Sequence, residues 1–396
     1  MHKELFTNPI AMVKRIHQGW TLNTAMNSRK ECGPVWRTTN RTNAEGIHIR
    51  RKSMGWTDRR LTKLPGKRFY PSDIKDTSKS MQTCYLVFNG DADGICAAHQ
   101  FYLSRPVDFV PVTGVKRDIA LLKKIRSPQD DIVSVFDISM EKNLPELENL
   151  LNNGCAIHWF DHHVSDSLPR HGHLTCHIDT SPLVNTSFLV SQYLDKPSSW
   201  AIVGLCGDNM SKTAEGLAKK FNLSSSDYSR LNEAGELLNY NAYGESTADL
   251  HIHPADLLSG MAHYADPLDY IHDTSTVDQL RDGMKADLSQ AKSTKAITEG
   301  VFIFPNEKWA RRVIGVFANR SIRENPDTAC AVLIEKKNST SFVVSVRSPL
   351  YSKRSAATLC KQFPTGGGRV KAAGINQLPH DHLSLFIEGF KKFYAE

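Results

Sequence analysis

No apolar run in the 396-residue chain approaches the length of a bilayer-crossing helix, and no charged-then-apolar leader opens it. These absences lead to the expectation of a cytoplasmic protein with no membrane partner. None of the eight cysteines stands in a C-x-x-C pair, and several lie inside apolar runs. They read as reduced core residues, neither a disulfide frame nor a zinc site. Acidic residues are scarce only at the start. Residues 1–80 carry 17 Lys and Arg against 6 Asp and Glu, which leaves 32 against 36 in the remainder. The net charge of +7 therefore belongs to the first fifth of the chain, and the rest lacks the basic track that a long nucleic-acid strand needs.

The chemistry concentrates at Tyr85-Leu86-Val87-Phe88-Asn89-Gly90-Asp91-Ala92-Asp93-Gly94. An apolar run with strand character ends in two carboxylates one residue apart, and a helix-like segment, Ile95 to Leu103, follows. Alternation on an extended strand end would turn Asp91 and Asp93 to one side, where like charges repel unless a cation lies between them. A hard divalent metal is one resolution. The other is an acidic helix N-terminus, where carboxylates cap free N–H groups and meet the positive end of the helix dipole.

Short apolar runs then alternate with helical stretches. Asp108–Val112 reads as a strand, Asp118–Ile125 has helical spacing, and the strand 131–136 ends at Asp137. Leu144–Leu151 reads as a helix closed by Asn152-Asn153-Gly154, and the strand 155–160 delivers Asp161-His162-His163. This is the rhythm of a parallel sheet covered by helices, in which ligands sit at the carboxyl ends of strands. Ser181–Leu194 and Ala201–Phe221 read as helices, the second interrupted by Gly204-Leu205-Cys206-Gly207-Asp208-Asn209. His251-Ile252-His253 has the look of a ligand pair, but no acid or Cys partner follows at site-like spacing, and a helix start at Pro254 explains it as well. Residues 256–298 are mostly helical and polar. A second pattern begins after Thr298, with strand-like runs at 300–304, 312–316, 330–334 and 341–348. Gly366-Gly367-Gly368-Arg369 follows, and then a small-residue helix start at Ala372-Ala373.

In that order, the D-x-D-G, D-H-H and G-G-G-x-x-x-A-A-G pieces resemble the DHH phosphoesterase superfamily, in the branch with a DHHA1 C-terminal domain, over residues 81–396. RecJ-type exonucleases, nanoRNases and cyclic-dinucleotide phosphodiesterases belong to that branch. The resemblance implies an α/β fold. A parallel-sheet catalytic domain with flanking helices (81–270) and a helical linker (271–298) would precede a smaller α/β substrate-binding domain (299–396), with the active-site cleft between the two domains. First strands in these families lie near the start of the chain, so residues 1–80 read as a disordered tail or a stretch upstream of the true start. The alternative is a basic arm built on Arg50-Arg51-Lys52, Arg59-Arg60 and Trp56. A transit peptide fits less well, because Glu4, Glu31 and Glu45 spoil its acid-poor composition.

The resemblance also implies two divalent ions, Mn²⁺ or Mg²⁺, held by Asp91, Asp93, Asp137, His162 and Asp208, with Asp137 bridging. His163 would face the phosphate, and Asp161 would orient the pair. RecJ-type members place a further Asp where this chain has Asn89, so one ion is expected to bind more weakly. Arg369 stands where many relatives have histidine. With Ser345, Arg347 and the backbone of Gly366, Gly367 and Gly368 it would clamp a phosphate. The implied activity is hydrolysis of phosphodiester or phosphomonoester bonds in short single-stranded oligonucleotides or small nucleotides, including 3′-5′-type exonuclease action. A homodimer is compatible with the resemblance. The alternative is a nucleotide-binding regulatory protein that keeps the fold with weak or no turnover. Pyrophosphatase relatives lack the G-G-G-x-x-x-A-A-G string.

Overall fold

Alternate residues of the first strand belong to two different cores. Leu86 and Phe88 pack into one, while Val87, flanked by Tyr85, packs into the other. A strand with apolar residues on both sides belongs inside a sheet covered on both faces. The computed structural model, which describes residues 82–126, 129–165, 168–336 and 340–395, places it there. The expectations for residues 1–80 lie outside the described residues.

β1 (Cys84–Phe88) leads into α1 (Ala92–Ser104), followed by β2 (Val110–Val112), β3 (Ile132–Phe136), α2 (Leu144–Asn152), β4 (Ala156–Asp161) and β5 (Leu174–Ile178). The five strands form one parallel sheet in the order β2-β1-β3-β4-β5. The order reverses direction between β1 and β3, and in open parallel sheets ligands bind outside the carboxyl ends of strands at such a switch point. Helices α3 (Thr186–Tyr193), α4 (Ser199–Gly207), α5 (Ser211–Lys220), α6 (Ser225–Asn241), α7 (Pro254–Met261), α8 (Pro267–Asp273) and α9 (Thr276–Ser293) follow. Among the described residues no helix is long and apolar enough to cross a membrane.

A second five-stranded sheet is mixed, in the order β6-β7-β8-β10-β9. It is built from β6 (Val301–Phe304), β7 (Cys330–Glu335), β8 (Ser341–Arg347), β9 (Gly366–Gly368) and β10 (Ala372–Pro379). α10 (Lys308–Glu324) covers one face, and α11 (Ala356–Cys360) with α12 (Leu383–Ala395) covers the other. The core under α10 also takes in Tyr240 of α6 and Leu288 and Ala291 of α9, so the two sheets belong to one compact unit.

Several elements differ from the sequence expectation. Residues 312–316 lie within α10, because Trp309, Val313 and Phe317 form a buried stripe at helical spacing. Ala372 and Ala373 open a strand instead of a helix, paired on both sides with β8 and β9. Within 118–125 only one 3₁₀ turn forms, Leu122–Lys124. There the Asn143 side chain accepts from the Leu122 N–H and donates to the Ile119 carbonyl, which competes with helical pairing. The helix expected from Ser181 begins only at Thr186, where Asn185 caps it by accepting from the Phe188 N–H.

Candidate metal centre

Asp91 is the N-cap of α1. Its Oδ1 accepts from the Gly94 N–H at 3.1 Å, while its Oδ2 lies 2.5 Å from Lys116 Nζ. The capping reading of this residue is realised, and its second oxygen meets a lysine. Asp93 falls in the first helical turn, not on an extended strand end, and so points elsewhere. Its two oxygens accept from the backbone N–H groups of Thr186 and Ser187, at 2.8 and 2.7 Å, at the start of α3. The turn carrying both aspartates is tight. A Cβ on Gly90 would stand 1.9 Å from the Gly114 carbonyl oxygen, so glycine lets the loops after β1 and β2 touch.

Asp137 follows β3 in a left-handed conformation, φ 58°, which Asp tolerates better than most side chains. Its Oδ1 accepts from Thr186 Oγ1 at 3.3 Å and lies 3.4 Å from His162 Nε2. Asp161, the last residue of β4, accepts from His163 Nδ1 at 2.7 Å and from the His162 N–H. Asp208 ends α4 and accepts from Asn185 Nδ2 at 3.3 Å. It does not cap the next helix, whose N-cap is Met210. Two donor sets have their ligating atoms within 4.8 Å of one another, Asp137/His162/His163 and Asp93/His162/Asp208, with His162 common to both.

The electrostatics fit a cation. Burial, and then the neighbouring carboxylates, push Asp93 and Asp137 well above the ordinary carboxylate range. Asp208 is raised by burial and Asp91, against the lowering influence of Lys116. Burial also pushes Asp91 up, but Lys116 outweighs it and holds that carboxyl low. Burial and His163 lower His162, which favours the neutral imidazole that ligates metals. His163 is raised, first by its hydrogen bond to Asp161. Crowded carboxylates with an adjacent imidazole are a mixed O/N donor set of the kind that holds a divalent cation.

Sequence reasoning missed Lys116, Asn185, Thr186 and Ser187. The Asn-Thr-Ser string is itself a helix N-terminus signal, but its receptor, Asp93, is far away in sequence. Asn89 is buried and committed: its Oδ1 accepts from the Asp91 N–H and its Nδ2 donates to the Lys116 carbonyl, both at 3.3 Å. The His251 and His253 pair is no metal site in the described residues. His253 caps α7 through Nδ1, and His251 Nε2 pairs with Tyr240 Oη at 2.7 Å.

In the second sheet, Arg347 turns under α10, bonding Asn319 Oδ1 at 2.5 Å and Ser345 Oγ at 3.1 Å. Tyr243 lies within electrostatic reach of both Arg347 and Lys116. The glycines serve separate ends. A Cβ on Gly366 would stand 1.7 Å from the Cys360 carbonyl oxygen, and Gly368 needs φ 134°. At Gly367 alone a side chain would meet nothing. Arg369 is exposed in the turn between β9 and β10, its N–H donating to the Ala372 carbonyl.

No protein-family model matches the chain, and no curated protein matches it in sequence. Solved structures do match. The exonuclease RecJ bound to manganese aligns over 80% of this chain and 90% of its own, at 16% identity and a TM-score of 0.50. RecJ in complex with Mn²⁺ from Thermus thermophilus aligns over 79% and 52%, at 16% identity and a TM-score of 0.46. The pGpG-specific phosphodiesterase PggH from Vibrio aligns over 79% and 99%, at 12% identity and a TM-score of 0.43. At 16% identity the likeness to the first of these is one of fold.

Proposed function

We propose that this chain, which has the DHH-superfamily fold, is a divalent-metal-dependent phosphoesterase. Its substrates would be short oligonucleotides or small nucleotides cut at a phosphodiester or phosphomonoester bond. The observation that carries the reading is the convergence of Asp93, Asp137, His162 and Asp208 from four separate elements, with all three carboxyls pushed up by burial and by neighbouring carboxylates. Drawn from two donor sets that share His162, those residues would hold the ion. A bound divalent ion supplies charge for the phosphoryl oxygens and makes hydroxide accessible near neutral pH.

The chain's own groups do the rest. Asp161 fixes the ring of His163 through Nδ1, leaving Nε2 to serve the phosphate; the side chain is 46% exposed and therefore reachable. Its raised pKa keeps a proton available for a departing oxygen. Ser345, Arg347, Arg369 and the open backbone at Gly367 would hold the rest of the substrate from the second sheet. The acidic balance of residues 81–396 favours small substrates over long strands.

The test is hydrolysis, after EDTA stripping, of a panel with Mn²⁺ or Mg²⁺ restored. It would include dinucleotides, 3′-phosphoadenosine 5′-phosphate, cyclic dinucleotides and longer single strands. Metal-dependent turnover of the short members is expected. Binding without turnover would favour the regulatory reading, and turnover undiminished by EDTA would overturn the metal-dependent one.

A further inference from the structure

Lys116 follows β2 and is held at both backbone groups. Its N–H donates to the Ala242 carbonyl at 2.9 Å, and its own carbonyl accepts from Asn89 Nδ2 at 3.3 Å. The side chain runs from this fixed point into the acidic cluster. Nζ lies 2.5 Å from Asp91 Oδ2, 2.9 Å from Asn239 Oδ1 and 3.7 Å from Asp208 Oδ1. An ammonium has three donors, and three oxygens surround this one.

The surroundings of Asp91 leave little for a metal ion. Its Oδ1 caps α1 through the Gly94 N–H and its Oδ2 takes the lysine. Asn89, the neighbouring oxygen donor, is uncharged and turns its amide oxygen to the Asp91 N–H. Asp91 belongs to neither of the two donor sets, although it is almost fully buried beside them. Asp93 and Asp137 meet backbone N–H and hydroxyl groups that orient them without bringing a positive charge, and Asp137 also neighbours Asp91.

We infer that the Lys116 ammonium permanently occupies one cation position of this centre. The chain then takes up a single divalent ion, at the two donor sets that overlap through their shared His162, and Asp91 is the partner of the lysine instead of a ligand. The inference rests on the metal-centre reading above and departs from the two-ion expectation of the sequence. Its physical basis is that a tethered ammonium and a divalent ion cannot share one carboxylate-lined position, because their like charges repel at contact distance in a medium that screens poorly.

Mn²⁺ alone, added to the metal-stripped full-length chain, tests it by equilibrium dialysis with metal analysis and by electron paramagnetic resonance. One Mn²⁺ per wild-type chain is expected, with the six-line signal of an isolated ion. Lys116→Ala should admit a second Mn²⁺, and two ions about 3.5–4 Å apart give an exchange-coupled spectrum instead. Two ions on the wild-type chain would overturn the inference and leave the metal centre standing, as would a Lys116→Ala protein that still takes one. No Mn²⁺ on either protein would remove the metal centre itself. Should Lys116→Ala not fold, Asp91→Asn decides: one Mn²⁺ per chain at saturation is still expected, and loss of that ion would make Asp91 a ligand.

Discussion

The Asp161 carboxylate and the His163 imidazole meet through a 2.7 Å hydrogen bond between Oδ1 and Nδ1, at the end of the strand that also presents His162. Two adjacent histidines are thereby shifted in opposite directions. His163, held by Asp161, is raised toward the cation, while His162, buried beside it, is pushed toward the neutral form. One is suited to donate a proton and the other to ligate.

That division predicts a dependence on the leaving group. His163→Gln should lower kcat on a dinucleotide by about 10²–10⁴-fold, the usual worth of a positioned acid. On bis(4-nitrophenyl) phosphate, whose leaving group needs no proton, the loss should be much smaller. Equal losses on the two substrates would deny His163 the role of acid. Mn²⁺ binding should persist in the variant.

Asp137 should be essential, and the choice of replacement matters. Asn tolerates the left-handed backbone at φ 58°, whereas Ala adds roughly 1 kcal/mol of strain. Asp137→Asn is therefore the cleaner variant, and it should abolish turnover while the protein stays folded by circular dichroism. Retention of most of the wild-type rate would exclude Asp137 from the site.

The raised carboxyls set a pH dependence for the metal-free protein. Asp93, Asp137 and Asp208 hold protons more tightly folded than unfolded, so their contribution is full below the unfolded value near 3.8 and is lost as pH rises through their folded values. Tm of EDTA-treated protein should fall from mildly acidic to neutral pH. Saturating Mn²⁺ should restore it at neutral pH by mass action. A Tm indifferent to Mn²⁺ at pH 7 would count against the site.

The ion pair between α9 and α10 works in the opposite direction. Asp287 receives Arg312 Nε at 2.7 Å and Nη2 at 2.9 Å, with the Tyr240 hydroxyl also donating to it. Burial pushes its carboxyl up, but hydrogen bonds from His251, Arg312 and Tyr240 outweigh this and hold it at about 2. Its stabilisation, roughly 1–2 kcal/mol once solvent screening is allowed for, is present above pH 3.8 and disappears as pH falls toward 2. Arg312→Ala should cost about 3–5 kcal/mol in urea unfolding, since it strands a buried carboxylate. A cost below about 1 kcal/mol would show that the pair does not hold α10 in place.

Arg369 gives a kinetic prediction without a structural one. It is exposed, so Arg369→Ala should leave Tm unchanged. Loss of a charged hydrogen-bond pair to a phosphate would lower kcat/KM by roughly one to two decades. Arg369→Lys should recover only part, because an ammonium lacks the planar two-point contact. Normal kinetics in Arg369→Ala would put the turn between β9 and β10 outside the site.

Local patterns in the sequence already determined the strands β1, β3 and β4 and the acidic residues at their ends, because an apolar run stopping at a carboxylate is a property of neighbours along the chain. The break between α4 and α5 was legible for the same reason. The fate of each carboxylate was not. Whether Asp91 meets a metal or a lysine depends on β2 lying beside β1, which brings Lys116 across from the next strand. That Asp93 faces the start of α3 depends on α1 and α3 packing together. Residues 312–316 and 372–373 were misread because β-branched and small residues fit either element, and burial against a particular neighbour decided between them. Tertiary packing alone could supply that neighbour, since its energy comes from surfaces far apart in sequence.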